Sequence, residues 1–152
     1  MILWRISRHE ALDGFGGLMA SARWHTAGHR IVYLADSPAS ALLETLVHLE
    51  LGPDLVPDGY RLLKIDAPEN VSRETINVES LGPGWEFRSQ VTRALGDPWL
   101  RSGTTALVGV PSALVPETGN WLLNPQNPDA QAISILWARP FPFDDRFFRF
   151  AR

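Results

Sequence analysis

Residues 31–50 read IVYLADSPASALLETLVHLE and form the most strongly marked stretch of the chain. The apolar, β-branched run over residues 30–35 predicts a buried strand. Ser37-Pro38 follows it, and a hydroxyl side chain before a proline is typical of a helix start. The helix is expected to run to about Glu50, because Gly52-Pro53 would stop it. A strand that passes directly into a helix is therefore the centre from which the other elements are placed.

The predicted helix has apolar residues over more than half of its circumference. Its polar sector is narrow and holds Glu44, Thr45 and His48, with Glu44 beside the apolar boundary. An amphipathic surface helix usually has a wider polar face, so we expect this helix to be largely buried. A carboxylate in so small a polar sector is a candidate for chemistry.

Strands are expected to outnumber helices in the rest of the chain. The pattern predicts further strands at residues 2–6, 60–65, 106–110, 131–137 and 146–150, and a second helix at 88–100, bent or ended at Pro98. Three segments rich in turn residues are expected to be irregular: 11–22, 69–84 and the stretch that begins at 121. Few units repeat as strand–helix–strand. The sequence therefore predicts a compact α+β single domain over residues 1–152, with a mixed, mainly antiparallel sheet.

The composition is that of an ordinary globular domain. The chain has 152 residues, of which 45% are hydrophobic and 20% are charged, so one core without staples is sufficient. It has no cysteine, which excludes disulfides, a thiol nucleophile, a zinc–thiolate site and an iron–sulfur cluster. No stretch has the pattern of a signal peptide or the length of a membrane span. We expect a cytoplasmic protein with no membrane partner.

The charge pattern disfavours direct nucleic-acid binding. The net charge is −3, and no basic face or stripe stands out. The nearest candidate is the C-terminal end, where Arg146, Arg149 and Arg152 alternate with phenylalanines. That alternation is more typical of an amphipathic closing strand.

Several common catalytic motifs are absent from the sequence. It has no G-x-G-x-x-G after a strand, no phosphate-binding lysine loop and no H-E-x-x-H. Ser112 lacks the G-x-S-x-G turn of a hydrolase. His25 and His29 are four residues apart, but no third ligand lies near them in the sequence. We therefore expect no metal.

Four polar residues stand where the predicted elements indicate a cleft: Arg23, Tyr33, Glu44 and Ser112. Each also has a purely structural interpretation. Arg23 could stack on its neighbouring tryptophan at the surface, Tyr33 could belong to the core, Glu44 could point to water, and Ser112 could cap a turn. The asparagines at 120 and 124 are typical of turns.

Five blocks of sequence, in this order and spacing, resemble the RES domain family. They are SARWHTAG (21–28), IVYLADSP (31–38), ALLETLVHL (41–49), VPSA (110–113) and NWLLNPQNP (120–128). The family is named for arginine, glutamate and serine positions, which Arg23, Glu44 and Ser112 match, and Tyr33 matches its usual tyrosine. The resemblance extends from about residue 4 to residue 135.

The resemblance implies a fold like that of the ADP-ribosyltransferases. It also implies a bacterial toxin of a type II toxin–antitoxin pair, with an Xre-type antitoxin as partner and NAD⁺ as substrate. The implied reaction is cleavage of the nicotinamide–ribose bond by phosphorolysis, with inorganic phosphate as acceptor, or by hydrolysis. The four matched residues would be catalytic, and Arg23, Tyr33, Ser112 and Asn124 would contact NAD⁺.

The sequence leaves several alternatives open. A mono-ADP-ribosyltransferase that modifies a host protein would use the same residues, because phosphate, water and a protein differ only in what reaches the ribose. A non-catalytic module whose cleft receives the antitoxin is a further alternative, and the six tryptophans support it. An RNA-cleaving toxin is disfavoured by the acidic balance. His48, one helical turn after Glu44, is a candidate for tuning Glu44 or activating the acceptor.

Overall fold

The computed structural model describes residues 1–49 and 56–149. The strands in that part of the chain are β1 (Ile2–Ser7), β2 (Val32–Ala35), β3 (Arg61–Asp66), β4 (Arg73–Thr75), β5 (Leu107–Pro111), β6 (Gly119–Leu123) and β7 (Ser134–Pro140). The α-helices are α1 (Phe15–Met19), α2 (Pro38–His48) and α3 (Ser89–Ser102). Short 3₁₀ turns lie at Val78–Leu81, Trp85–Phe87, Pro128–Ala132 and Asp145–Phe148.

The strands form one sheet in the order β4-β5-β6-β2-β1-β3-β7. Only β4 and β5 run parallel among the described pairs, and every other neighbouring pair is antiparallel. The expected α+β domain with a mixed, mainly antiparallel sheet is therefore confirmed.

The sheet is nearly interrupted between β1 and β2. These two strands pair only at Trp4 and Ala35, whereas β1 and β3 pair at six positions and β2 and β6 at four. No other pair joins β1 and β2 among the described residues. The ladder is therefore weakest in the middle of the sheet, and α2 packs on both strands there.

The core lies on both sides of the sheet. One cluster contains fully buried aliphatic side chains of several strands, among them Leu3, Leu63, Ile65 and Leu107. A second cluster contains three tryptophans: Trp24 and Trp85 pack with Trp99 of α3 and with the other face of β5 and β6. The second cluster fixes the segment that precedes β2.

Helix α2 begins as the sequence predicts, but it is less buried than expected. The Ser37 hydroxyl accepts a hydrogen bond from the Ser40 amide at 3.1 Å, and Pro38 is the first helical residue. Only Ala41 is fully buried in the helix, while Leu43 and Val47 are 39% and 54% exposed. The prediction of a largely buried helix was wrong, because α2 packs on β1 and β2 with one face only.

Two expectations about the second half of the chain were also wrong. The stretch from residue 121 is not turn-rich at its start, because β6 forms an antiparallel hairpin with β5. Residues 146–149 are not a strand: they follow Asp144, whose carboxylate accepts from the Arg146 amide at 2.9 Å and caps a 3₁₀ turn. Phe148 in that turn packs on Phe143, with ring centroids 6.1 Å apart. Residue 150, the end of the predicted strand, lies outside the described residues, as does residue 50 at the predicted end of α2.

The remaining differences are additions to segments expected to be irregular. Residues 11–22 contain the single-turn helix α1, and residues 69–84 contain β4, which pairs with β5. The strand expected at 131–137 begins at Ser134 and continues to Pro140, after a 3₁₀ turn. Helix α3 continues through Pro98 to Ser102, and Gly103 caps its end with a φ of 60°, which suits glycine. No helix in residues 1–49 and 56–149 is both long enough and apolar enough to cross a membrane.

Candidate active site

A cleft of about 470 Å³ lies beside the weakly paired strands β1 and β2. It is lined by residues of β1, β2 and α2, by the segment that precedes β2, and by the ends of β5 and β6. A neighbouring hollow of about 420 Å³ lies against the glycine-rich segment 14–17, and it shares Arg5, His9, Ala22 and Tyr33 with the cleft. Cavities of this size hold small organic ligands.

Helix α2 presents its polar sector to the cleft. Ala41, Glu44, Thr45 and His48 all line the cleft, which is the spacing of one helical face. Glu44 Oε1 accepts hydrogen bonds from Ser112 Oγ at 2.7 Å and from Asn120 Nδ2 at 2.8 Å. No donor among the described residues contacts its other oxygen, Oε2. One carboxylate oxygen is therefore fixed and the other is available to a ligand.

Ser112 is buried and its hydroxyl is fully used. Oγ donates to Glu44 and accepts from the amides of Leu114 and Val115 at 3.1 and 3.2 Å. A hydroxyl has one donor and two acceptor positions, so no position remains for a substrate. The geometry favours a role in orienting Glu44 over the expected contact with nicotinamide or phosphate.

Asn120 is a site residue that the sequence reasoning assigned to a turn. It lies on β6, lines the cleft and donates to Glu44. Its Oδ1 is buried and has no hydrogen-bond partner among the described residues. The available signal was the place of Asn120 in the fifth block that resembles the RES family. Because strand β6 was not predicted, the direction of the Asn120 side chain could not be inferred.

Arg23 lines the cleft from a segment that α3 holds by its backbone. The Arg23 carbonyl accepts from the Thr92 hydroxyl, and the Ala22 carbonyl accepts from Arg93 Nε at 2.8 Å. Gly96 brings α3 so close that a Cβ there would lie 1.8 Å from the Trp24 carbonyl oxygen. The guanidinium of Arg23 has no hydrogen bond or ion pair among the described residues, so its donors are available to an anion in the cleft.

Tyr33 lies where the cleft and the neighbouring hollow meet. Its hydroxyl accepts from the Trp24 amide at 3.1 Å and lies 2.8 Å from His25 Nδ1. Burial raises the pKa of Tyr33, and the nearby Arg93 and Arg23 offset that only in part. The phenol therefore stays neutral at physiological pH, and its ring forms part of the wall.

The cleft is more positive than the chain as a whole. Arg5, Arg8 and Arg23 line it, against Glu44 as the one carboxylate among its described lining residues, although the chain carries a net charge of −3. Arg5 donates to the Ala11 carbonyl at 3.0 Å, and burial lowers the pKa of its guanidinium below the usual arginine value. Arg5 was not predicted as a site residue. The available signal was a charged side chain on the same face of β1 as Leu3, which points inward.

The structure does not bring Asn124 to this cleft. Its side chain is buried, donates to the Leu100 carbonyl at 3.3 Å and accepts from the Gln126 amide at 3.1 Å. Asn124 lines neither the cleft nor the neighbouring hollow. The four other predicted residues do meet: Arg23, Tyr33 and Glu44 line one cleft, and Ser112 contacts Glu44.

This arrangement defines a class of site: a half-buried carboxylate, held through one oxygen, shares a cleft beside a mixed sheet with a set of arginines. The RES domain family model matches residues 2–144, so the chain belongs to the RES domain family.

Two curated relatives agree with that assignment over all or nearly all of their length. The chain is 46% identical over 148 residues to a protein of Pseudomonas putida named Toxin Res, with 97% of this chain and all of that protein covered. It is 39% identical over 156 aligned positions to a protein of Sphingobium sp. named Prs ADP-ribosylating toxin, with 96% of each chain covered.

A solved structure shares the fold. A chain in the crystal structure of the M. tuberculosis MbcT–MbcA toxin–antitoxin complex superposes with a TM-score of 0.69, covering 93% of this chain and 84% of that chain. The sequence identity is 16%, so this likeness concerns the fold alone. The likeness agrees with the compact α+β fold with a mixed sheet that was expected.

Proposed function

We propose that this protein is the toxin of a type II toxin–antitoxin pair and that it acts in the cytoplasm by cleaving the nicotinamide–ribose bond of NAD⁺. The observation that carries the proposal is Glu44, fixed through one oxygen by Ser112 and Asn120 while its other oxygen is left for a ligand. Arginines line the same cleft, which suits the diphosphate of a dinucleotide. Toxin names among close relatives support the biological role.

In the proposed reaction nicotinamide leaves neutral, with both electrons of the C1′–N bond. The ribose becomes oxocarbenium-like as that bond breaks. Glu44 Oε2 accepts a hydrogen bond from a ribose hydroxyl and stabilises the developing positive charge. A phosphate or water oxygen then forms the new bond to C1′ and releases a proton.

The other residues bind or orient. Arg23 holds the diphosphate through its planar fork of donors. The Tyr33 ring provides a flat surface for nicotinamide. Ser112 and Asn120 are positioning residues, since they act through Glu44. Asn124 has no part in this proposal, because its amide is used within the core. His48 keeps its candidate role of tuning Glu44, which a His48→Ala variant with an unchanged pH–rate profile would rule out.

The first experiment follows NAD⁺ loss over time with purified protein, with and without phosphate, beside Glu44→Gln. Glu44→Gln keeps an acceptor oxygen for Ser112 and Asn120 but removes the charge, so we expect the rate to fall by about 10²-fold or more. Phosphate dependence would identify the acceptor. An equal rate for wild type and Glu44→Gln would contradict the proposal.

A second candidate function is mono-ADP-ribosylation of a host protein. It is favoured by the relative named Prs ADP-ribosylating toxin, which is 39% identical. Label from adenine-labelled NAD⁺ would then be fixed on a protein, whereas phosphorolysis or hydrolysis gives a free small product. The comparison is made in a lysate, with the same Glu44→Gln control.

The proposed partner is an antitoxin of the Xre type that covers the cleft. The fold is shared with a chain from a toxin–antitoxin complex, and the exposed apolar residues Val47 and Leu114 lie at the cleft. An exposed apolar rim suits a protein partner. Expression of the active chain alone is expected to stop growth, and co-expression of the antitoxin to restore it. If the cleft only binds the antitoxin, Glu44→Ala will weaken the complex, and neither the wild-type protein nor the variant will consume NAD⁺.

A further inference from the structure

His25 lies on the same segment as Arg23, and a chain of hydrogen bonds joins it to Tyr33 and to Gly17. His25 is 2% exposed, and its Nδ1 lies 2.8 Å from the Tyr33 hydroxyl oxygen. The other ring nitrogen, Nε2, lies 3.2 Å from the Gly17 carbonyl oxygen. The Tyr33 hydroxyl also accepts the Trp24 amide at 3.1 Å. Three segments thus meet at the His25 imidazole: the glycine-rich segment 14–17, the segment that carries Arg23, and β2.

The partners fix where the protons lie. A carbonyl oxygen can only accept, so His25 Nε2 carries a hydrogen and donates it to Gly17. In the neutral ring Nδ1 is then an acceptor, and the Tyr33 O–H donates to it. The Tyr33 oxygen is left to accept from Trp24. Every member of the chain has a partner of the correct kind only when His25 is neutral with its hydrogen on Nε2.

The surroundings favour that neutral form. Burial lowers the pKa of His25, and nearby His29 acts in the same direction. The carbonyls of Gly17 and Ala20 and the carboxylate of Asp97 oppose the shift but do not cancel it. Burial likewise keeps the Tyr33 phenol neutral and able to donate, although the Trp24 amide and the charges of Arg93 and Arg23 lower its pKa in part.

We propose that His25 is a positioning residue for the NAD⁺ site, which holds the Tyr33 ring and the Arg23 segment in one fixed relation. The inference rests on the proposed function, because its effect is read through NAD⁺ binding at Tyr33 and Arg23. The Tyr33 hydroxyl then serves only to hold the protein together, because its donor and one acceptor position are both used within the protein. The ring face, and not the hydroxyl, is what Tyr33 offers to the ligand.

Two substitutions separate the two nitrogens of the imidazole. The Asn δ-oxygen occupies the position of Nδ1, so His25→Asn keeps an acceptor for Tyr33 and loses the donor to Gly17. The Gln ε-nitrogen occupies the position of Nε2, so His25→Gln keeps the donor to Gly17 and loses the acceptor for Tyr33. A histidine that only fills space would respond to both changes alike.

The experiment measures KM and kcat for NAD⁺ in wild type, His25→Asn, His25→Gln, Tyr33→Phe and the double variant of His25→Gln with Tyr33→Phe. We expect KM to rise about tenfold in His25→Gln, the loss of one buried hydrogen bond, and to stay within about threefold in His25→Asn. In the Tyr33→Phe background, His25→Gln should add little, because the hydroxyl is already gone. Equal KM values for the Asn and Gln variants, or losses that multiply in the double variant, would overturn the proposal.

A second measurement does not depend on activity. Long-range ¹H–¹⁵N correlation on ¹⁵N-histidine protein reports which nitrogen of His25 carries the hydrogen. We expect the neutral Nε2–H form, persisting below the ordinary histidine pKa of 6.5. An Nδ1–H form, or a charged ring at pH 7, would overturn the positioning role even in a fully active enzyme. The expected tautomer in a protein that leaves NAD⁺ intact would instead contradict the proposed function alone.

Discussion

Removal of the Ser112 hydroxyl should be felt first at Glu44. Ser112→Ala leaves Glu44 with one donor and frees the amides of Leu114 and Val115. We expect kcat for NAD⁺ cleavage to fall roughly tenfold and the protein to lose about 1–2 kcal/mol of unfolding free energy. Steady-state kinetics and chemical denaturation measure the two effects.

A control for Ser112→Ala lies in the same loop. The Thr118 hydroxyl donates to the Val115 carbonyl at 2.8 Å but has no contact with Glu44. Thr118→Val should therefore lower stability without a comparable loss of kcat. Similar kcat losses in the two variants would mean that Ser112 acts through the loop and not through Glu44.

Asn120 gives a prediction about pH. Asn120→Asp places a second carboxylate where an amide now donates to Glu44 at 2.8 Å. Two carboxylates at that distance resist double ionisation, so one pKa of the pair rises. If Glu44 acts ionised, the acid limb of the pH–rate profile should move up by about one pH unit. Asn120→Ala loses the hydrogen bond without adding charge, and a profile in Asn120→Asp that matches it would contradict this account.

The same residues mark how far the sequence could be taken. Arg23, Tyr33, Glu44 and Ser112 were identified because they match positions of a family pattern. Asn120 was missed because the Asn-Pro signals after it favoured a turn, whereas pairing with β5 makes that stretch a strand. The contact between Ser112 and Glu44 joins residues 68 positions apart, and no local pattern indicates it.

Helix α3 depends on one glycine for its approach to the Arg23 segment. A Cβ at Gly96 would lie 1.8 Å from the Trp24 carbonyl oxygen, so Gly96→Ala must push the helix and the segment apart. We expect a loss of about 1–3 kcal/mol in unfolding free energy, measured by chemical denaturation. Gly16→Ala in α1 is the matched control, since a Cβ there meets no atom within 4 Å. Equal losses would show that helix propensity, and not the contact, sets the cost.

Asp97 ties α3 to the same segment and makes that tie depend on pH. Its carboxylate accepts from the Thr26 amide at 2.8 Å and the Thr26 hydroxyl at 2.7 Å. Burial works against the ionised form, yet these bonds outweigh it and hold the pKa of Asp97 below its ordinary 3.8. A lowered folded-state pKa contributes stability that is present above about pH 4 and lost as the pH falls through the folded value.

Asp97→Asn should therefore be less stable than wild type at pH 7, because an amide can replace only one of the two acceptor oxygens. The difference should shrink as the pH is lowered below 4. Denaturation curves at several pH values test this. A difference that stays constant down to pH 3 would mean that ionisation of Asp97 contributes nothing.

Elements were predictable where their signals are local. The Ser37-Pro38 start of α2 was correct, since the cap is a contact within one turn. Strands β1, β2, β3 and β5 were placed within about two residues, because buried strands carry long apolar runs. The burial of α2 was overestimated because periodicity gives the direction of a face but not what covers it. The short strand β4 was missed because its pairing partner is distant in sequence.

The contrast between an acidic chain and an arginine-lined cleft predicts salt-dependent binding. Field lines focus in a cleft, and added salt screens them within about 10 Å at 0.1 M. We expect KM for NAD⁺ to rise several-fold between low and high ionic strength, with kcat little changed. Arg8→Ala, which removes a cleft charge, should weaken that dependence. Arg139→Ala makes the same change in net charge on the exposed strand β7, and it should leave the salt dependence of KM unchanged. Identical salt slopes for both variants would contradict a local field.

The near-interruption between β1 and β2 has a consequence for how the domain can be recognised. A sheet normally exposes unpaired backbone only at its rim, where charges or bulges protect it from other chains. This sheet has two further edges in its interior, because the ladder between β1 and β2 stops after Trp4 and Ala35. Backbone donors and acceptors there do not change when side chains mutate. Because this ladder stops beside the cleft, we expect an inhibitor with backbone-like donors and acceptors to bind tightly by extending it.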